Sequence, residues 1–189
     1  MKLYLFDFDG TLYKKDSMID FLKHVHNNNF KYYLLNLLFL PFWFLKALRF
    51  INIETYKSIF LKIHLKNYSE KKIFNCSKFF SKKIYKNLFP GAKEYLKSID
   101  GEKCIISSSV DIWMDDISKE LGVELICTES VFKNKKFDRI NKNCNYSQKL
   151  IRVKEKYDLN FFDNISVFGN SKGDYEMYKL GTKHHKYFN

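Results

Sequence analysis

Glycine and proline are scarce in this chain, seven and two in 189 residues. That scarcity argues against long disordered linkers. Cysteine is also sparse. The four, Cys76, Cys104, Cys127 and Cys144, form no C-x-x-C pair and fit no zinc spacing. Cys104 and Cys127 lie in apolar runs, where cysteine acts as a small hydrophobe. All four are expected to be reduced thiols of a cytoplasmic protein. No apolar run reaches the roughly 18 residues of a membrane-spanning helix. The opening MKLYLFDFDG is not expected to be a secretory signal, because its apolar run is short and acids interrupt it. Internal repeats and low-complexity segments are absent.

Apolar residues make up 46% of the chain, enough for a real core. The length suits one domain, or one domain carrying a large insertion. The net charge of +12 attracts anions, whether phosphorylated substrates or anionic membrane. Lysine far outnumbers arginine and is spread along the chain, with no basic block beside an aromatic platform. Nucleic acid is therefore not an expected partner.

Residues 2–6 form a short apolar run bounded by a turn signal, as in a buried parallel strand. From 17 to 85 helical periodicity dominates. Helices are expected at 17–26, opened by Asp16 or Ser17, and at 54–65 and 70–85, with a strongly apolar segment at 31–50. Phe89-Pro90-Gly91-Ala92 marks a break. Strands are then expected at 103–107, 125–127 and 165–168, a hairpin at 131–140 turning at Asn134-Lys135, and helices at 112–121, 148–157 and 173–180. A last short strand is expected at 185–187. Alternating strands and helices imply an α/β core with a mostly parallel sheet.

Four segments carry groups that phosphoryl transfer needs. In Asp7-Phe8-Asp9-Gly10-Thr11 two carboxylates leave a strand on the same side. One can attack phosphorus; the other can protonate the leaving oxygen. A surface turn would use the same residue types, but a DxDGT run straight after a buried strand is a specific signal. Ser107-Ser108-Ser109 ends an apolar run and can hold a phosphate oxygen, or can serve as turn and cap. Lys149 opens a helix and could neutralise phosphate charge. Gly169-Asn170-Ser171-Lys172-Gly173-Asp174 follows a strand and offers Asn170 and Asp174 as magnesium-binding oxygens, or a capped helix start.

In this order the four segments resemble the haloacid dehalogenase-like superfamily of phosphatases, and most closely its phosphoserine phosphatase-like branch. The resemblance covers the whole chain. It implies a Rossmann-like three-layer core at 1–14 and 87–189 and an inserted all-helical cap at 15–86. It implies Asp7 as nucleophile and Asp9 as general acid and base. Ser107, Ser108 and Lys149 would bind phosphate, and Asp7, Asp9, Asn170 and Asp174 would hold Mg2+, with Asp9 lending its main-chain carbonyl. Thr11 and Asp16 are candidate substrate contacts; Asp16 is equally a helix cap. Where that branch carries an acid, this chain has Asn170, an oxygen without charge.

Fourteen uncharged residues lie between Lys31 and Lys46. Trp43 and two tyrosines sit near the ends of the segment, and Arg49 follows. Residues 32–49 therefore suit either a peripheral contact with the inner face of a membrane or packing within the cap or a dimer. The substrate expected is a lipid phosphate such as phosphatidylglycerophosphate, or else a soluble ester such as phosphoserine, a sugar phosphate or phosphocholine. A third reading, from another class, is a non-catalytic binding module.

Overall fold

The computed structural model describes residues 1–27 and 29–188. Five parallel strands make its sheet: β1 (Lys2–Phe6), β2 (Glu102–Val110), β3 (Glu124–Thr128), β6 (Asn164–Gly169) and β7 (Thr182–His185). Their spatial order is β3-β2-β1-β6-β7. Strand β1 is thus central, with Leu5 opposite Cys104 on one side and Val167 on the other.

Side chains alternate across the sheet, as the pleat requires. Leu3, Leu5, Cys104, Ile106 and Val167 face one layer, which contains Val153 and Tyr157. These two belong to α7 (Ser147–Lys156) and its C-cap. Phe6, Ile105 and Phe168 face the other layer. That layer holds α5 (Ala92–Ser98) and α6 (Asp111–Leu121). The result is a three-layer, Rossmann-like α/β core whose inner strands are apolar on both faces.

Between β1 and α5 run four helices: α1 (Ser17–His26), α2 (Asn29–Ala47), α3 (Ile53–Leu65) and α4 (Glu70–Lys86). Asp16, Asn52 and Ser69 each accept a hydrogen bond from a first-turn amide and so start α1, α3 and α4. His26 joins α1 to α3 through Nε2 and His64 Nδ1, 2.9 Å apart. Burial holds both imidazoles neutral, pushed down to about 4. Helix α2 packs one stripe, with Tyr32 and Phe39 buried against His64, Phe60 and Tyr56. Its other faces are open.

The hairpin β4 (Ser130–Lys133) and β5 (Lys136–Ile140) turns at Asn134 and Lys135, both at positive φ. It leans on the helical module. Ile140 N donates to Ser58 Oγ at 3.0 Å, and Glu70 N donates to Lys135 O at 3.0 Å. Lys62 pairs with Asp138.

Three expectations need correction. Residues 173–180 form two 3-10 turns, Lys172–Asp174 and Met177–Leu180, and no α-helix. The Asp174 carboxylate is drawn back onto the amides of 170 and 171, which tightens the first turn. The last strand lies at Thr182–His185, not 185–187, and Lys186 ends it at φ 52. It is a polar edge strand, placed by the open side of β6 and not by its own pattern. Helix α5 was not expected; at seven residues it buries only Ala92 and Leu96.

Candidate active site

The four segments converge at the carboxyl ends of β2, β1 and β6, where open α/β sheets bind ligands. Asp7 N donates to Phe168 O at 2.8 Å, which ties the end of β1 to β6. The chain then turns at once: the amides of Thr11, Leu12 and Tyr13 all donate to Phe8 O. Gly10 sits at φ +78, and a Cβ there would meet Asn170 Nδ2 at 1.9 Å. Only glycine lets the Asn170 side chain lie over this turn.

Lys149 is the electrostatic centre. Its Nζ lies 2.6 Å from Asp7 Oδ1 and 2.6 Å from Asp174 Oδ1. Burial opposes its charge, but the two carboxylates outweigh burial and hold it well above the ordinary lysine range. Asp7 is raised above the usual carboxylate range by burial, opposed by Lys149 and reinforced by Asp174. Thr11 Oγ1 donates to its other oxygen at 3.2 Å. Burial would also raise Asp174, but Lys149 and Ser171 bring it below that range.

The N-terminus of α7 fixes Lys149. Tyr146 N donates to Gly173 O at 3.1 Å and holds φ 48, a strained value for a tyrosine. Asn145 Oδ1 lies where a Cβ on Gly173 would be, 2.3 Å away. The start of α7 and the loop after β6 are thus locked together.

Asp9 points elsewhere. Its Oδ1 accepts from Ser17 N at 2.8 Å; its Oδ2 accepts from Ser17 Oγ at 3.1 Å and Ser109 Oγ at 2.7 Å. Burial, with Asp16 nearby, pushes it up to about 7 against the bond from Ser109. Asp16 caps α1 through Ile19 N at 3.0 Å and also lines the cleft described next.

A cavity of about 250 Å³ lies between helical module and core, with Asp9, Asp16, Lys46, Lys57, Ser108 and Ser109 among its walls. Ser107 is not among them. It is buried, and its Oγ accepts from Ser109 N at 3.0 Å. Ser108 Oγ has no hydrogen-bond partner among the described residues, while its carbonyl accepts from Lys57 Nζ and from Thr128 Oγ1. A larger hollow of about 740 Å³ opens beside α7, lined by Asp111, Asp115, Glu129 and Arg152, away from Asp7.

Three positions at the site carry contacts that the sequence did not suggest: Ser17, read as a helix opener, Ser109, read as part of the serine run, and Lys57, not singled out. Ser17 and Ser109 touch each other at 3.0 Å across 92 residues and together bind Asp9. No local pattern signals such a pair. Lys57 is buried, donates also to Asn143 Oδ1 at 3.2 Å, and is lowered to about 8 by burial, against the pull of Asp9 and Asp16. It had a signal. Lys57 begins the buried stripe that continues through Phe60, Leu61, His64 and Leu65, a lysine at a core position of its helix.

Among the described residues, no three His, Cys, Asp or Glu side chains cluster as metal ligands. The two outer acids explain this. The Asp9 carboxylate faces serines. The Asp174 oxygens are taken by Lys149 on one side and by Ser171 and two amides on the other. Both Asp174 oxygens are thus engaged by the protein itself. The donors left are the Asp7 carboxylate, the Asp9 main chain and the Asn170 amide. Two buried carboxylates share one ammonium here, so the pocket retains negative charge. An all-oxygen set with excess negative charge fits a hard divalent cation such as Mg2+.

The family model described as haloacid dehalogenase-like hydrolase matches residues 4–179. Among solved structures, a protein with unknown function from Bordetella pertussis Tohama I superposes with TM-score 0.78 at 18% identity, covering 96% of this chain and 87% of that one. A phosphoserine phosphohydrolase-like protein from Francisella tularensis superposes with TM-score 0.66 at 21% identity, covering 96% and 83%. A phospho-aspartyl intermediate analogue of phosphoserine phosphatase gives 0.66 at 18%, covering 96% and 84%. At such identities these likenesses speak to the fold. No curated protein sequence matches the chain.

Proposed function

Given that the chain belongs to the haloacid dehalogenase-like hydrolases, we propose that it is a phosphatase that hydrolyses a phosphate monoester through an aspartyl-phosphate on Asp7. What supports this is the unequal treatment of two carboxylates two residues apart. Asp7 touches a buried ammonium at 2.6 Å. Asp9 touches only hydroxyls and an amide, and is pushed up to about 7. A carboxylate paired with an ammonium and a neighbour with no cation of its own, poised near neutrality, are what a nucleophile and a general acid require.

An Asp7 oxygen attacks phosphorus and the P–O bond to the leaving group breaks. The departing oxygen takes the proton of Asp9. Ionised Asp9 then takes a proton from water, and the resulting hydroxide attacks the phosphorus. The bond to Asp7 breaks and inorganic phosphate leaves. Lys149 opposes the rise that burial imposes on Asp7 and faces the charge of the phosphoryl group. Ser17 and Ser109 aim Asp9 at the cavity. A magnesium ion held by Asp7, the Asp9 carbonyl and Asn170 would offset the charge that nucleophile and phosphate bring together.

Two substrate classes follow from two features. A lipid phosphate, phosphatidylglycerophosphate being the type, suits an apolar helix whose end reaches the cavity at Lys46. A soluble ester of phosphoserine or phosphocholine size suits the small volume and charged walls of that cavity. The test is phosphate release with magnesium, with and without EDTA, from soluble esters and from lipid phosphates in mixed micelles. Turnover abolished by EDTA and by Asp7→Asn supports the mechanism. Full turnover in Asp7→Asn would sink it, and no turnover on a broad panel would favour a binding module.

A further inference from the structure

Helix α2 leaves most of its apolar surface uncovered. Leu37, Leu38, Trp43 and Phe44 on the helix, and Leu48 and Phe50 just past its end, are each more than half exposed. Phe and Trp side chains carry about 150–250 Å² each. The three rings at 43, 44 and 50 alone therefore expose roughly 300–450 Å², as much as the largest patch of an ordinary monomer, roughly 300–600 Å². The leucines add to it. No helix among the described residues is long and apolar enough to cross a membrane. Tyr32 and Phe39 moreover hold one stripe of α2 against α3.

Charge selects among occupants. Residues 15–86 carry 14 Lys and Arg against four Asp and Glu, so they hold +10 of the chain's +12. The lysines are spread through the sequence, but the acids are not. A second copy of this chain would bring the same charge to such a face and repel it. An anionic lipid surface would neutralise it.

We infer that α2 lies in the interface of an anionic bilayer, its apolar face among the acyl chains and the cations around it among the headgroups. Trp43 and Tyr33 sit at the level their amphipathic rings prefer. Lys46, at the carboxyl end of α2, stacks over Tyr56 at 4.5 Å and lines the catalytic cavity. The mouth of the site then opens at headgroup depth. The docking stands without the phosphatase reading; only the step from docking to a lipid ester as substrate rests on it.

The two tryptophans separate the test from catalysis. Trp113 is fully buried, and Trp43 is exposed. The full chain is mixed with vesicles of phosphatidylcholine alone, or of phosphatidylcholine with phosphatidylglycerol, and followed by Trp43 emission and co-sedimentation. The expected result is a blue shift and pelleting with the anionic vesicles only. Binding should weaken about tenfold or more between 0.1 and 0.5 M NaCl. Leu38→Glu and, separately, Leu37→Ser should each weaken it with an unchanged thermal melt. Three results would overturn the inference: no partition into anionic vesicles, equal partition into neutral ones, or a stable dimer that shields Trp43 without lipid. Phosphate release is not read, so loss of the catalytic reading leaves this outcome intact.

Discussion

Lys57, on α3, donates its ammonium proton to the main-chain carbonyl of Ser108, at the end of β2. A side chain of the helical module thereby reaches the catalytic layer, and it does so from the wall of the cavity. Lys57→Met should cost about 2 kcal/mol of substrate binding, the scale of a hydrogen bond to a charged group. That is about 30-fold in kcat/KM. The loss should fall mainly on KM, because Lys57 does not touch Asp7. Steady-state kinetics on any active ester reads the split; a pure kcat effect would contradict this placement.

Asp9 sets a pH limit. Its folded value of about 7 lies above the ordinary 3.8. Between those two values the folded chain holds a proton that the unfolded chain has released. Stability therefore falls as pH rises from about 4 to about 7. The proton needed by the leaving group is half lost at the upper end of that range and goes above it. Asp9→Asn should abolish turnover and raise Tm at pH 8, by ~2–4 °C per kcal/mol regained. Thermal melts at pH 5 and pH 8 check this: the gain should shrink at pH 5.

Lys149 is buried between two acids, so deleting it leaves their charge uncompensated. Lys149→Met should destabilise the fold by about 3–5 kcal/mol in urea unfolding. Combining it with Asp174→Asn should recover part of that loss, because one of the two orphaned charges is then removed. Activity should stay lost in both variants, since Asp7 no longer has its cation.

Asn170 lies over Gly10 and brings an uncharged oxygen to the site. Asn170→Asp should lower the magnesium concentration for half-maximal activity severalfold, by adding charge to the donor set. Gly10→Ala should fail for another reason. It needs positive φ and puts a Cβ 1.9 Å from the Asn170 amide nitrogen, so it should lose both activity and stability. Magnesium titrations and melts of the two variants separate charge from fit.

The strand-and-turn part of this site was legible because it is local. Residues 2–6 alternate into two packed layers, and Asp7 to Thr11 follow without a break. The turn of the hairpin was legible from Asn134 and Lys135, but not its docking on α3 and α4. The Ser17–Ser109 pair joins residues 92 positions apart, and nothing near either serine announces the other. Residues 173–180 misled because their apolar spacing is helical, while Asp174 serves Lys149 and the 170–171 amides. The tertiary demand on one carboxylate outweighed the periodicity of eight residues. Lys57 was readable in principle as a lysine in an otherwise apolar stripe, and was obscured by the abundance of lysine.

The separation of charge between the two parts of the chain also acts before anything binds. Residues 15–86 hold +10 while the remainder holds +2, so the field outside the molecule points from one end. A phosphate ester diffusing in from bulk is drawn toward the end where Lys46 and Lys57 flank the cavity. Capture by such a field raises association rates and fades steeply with ionic strength. The asymmetry of the acids is thus a kinetic property: it sets which side of the molecule an anion meets first.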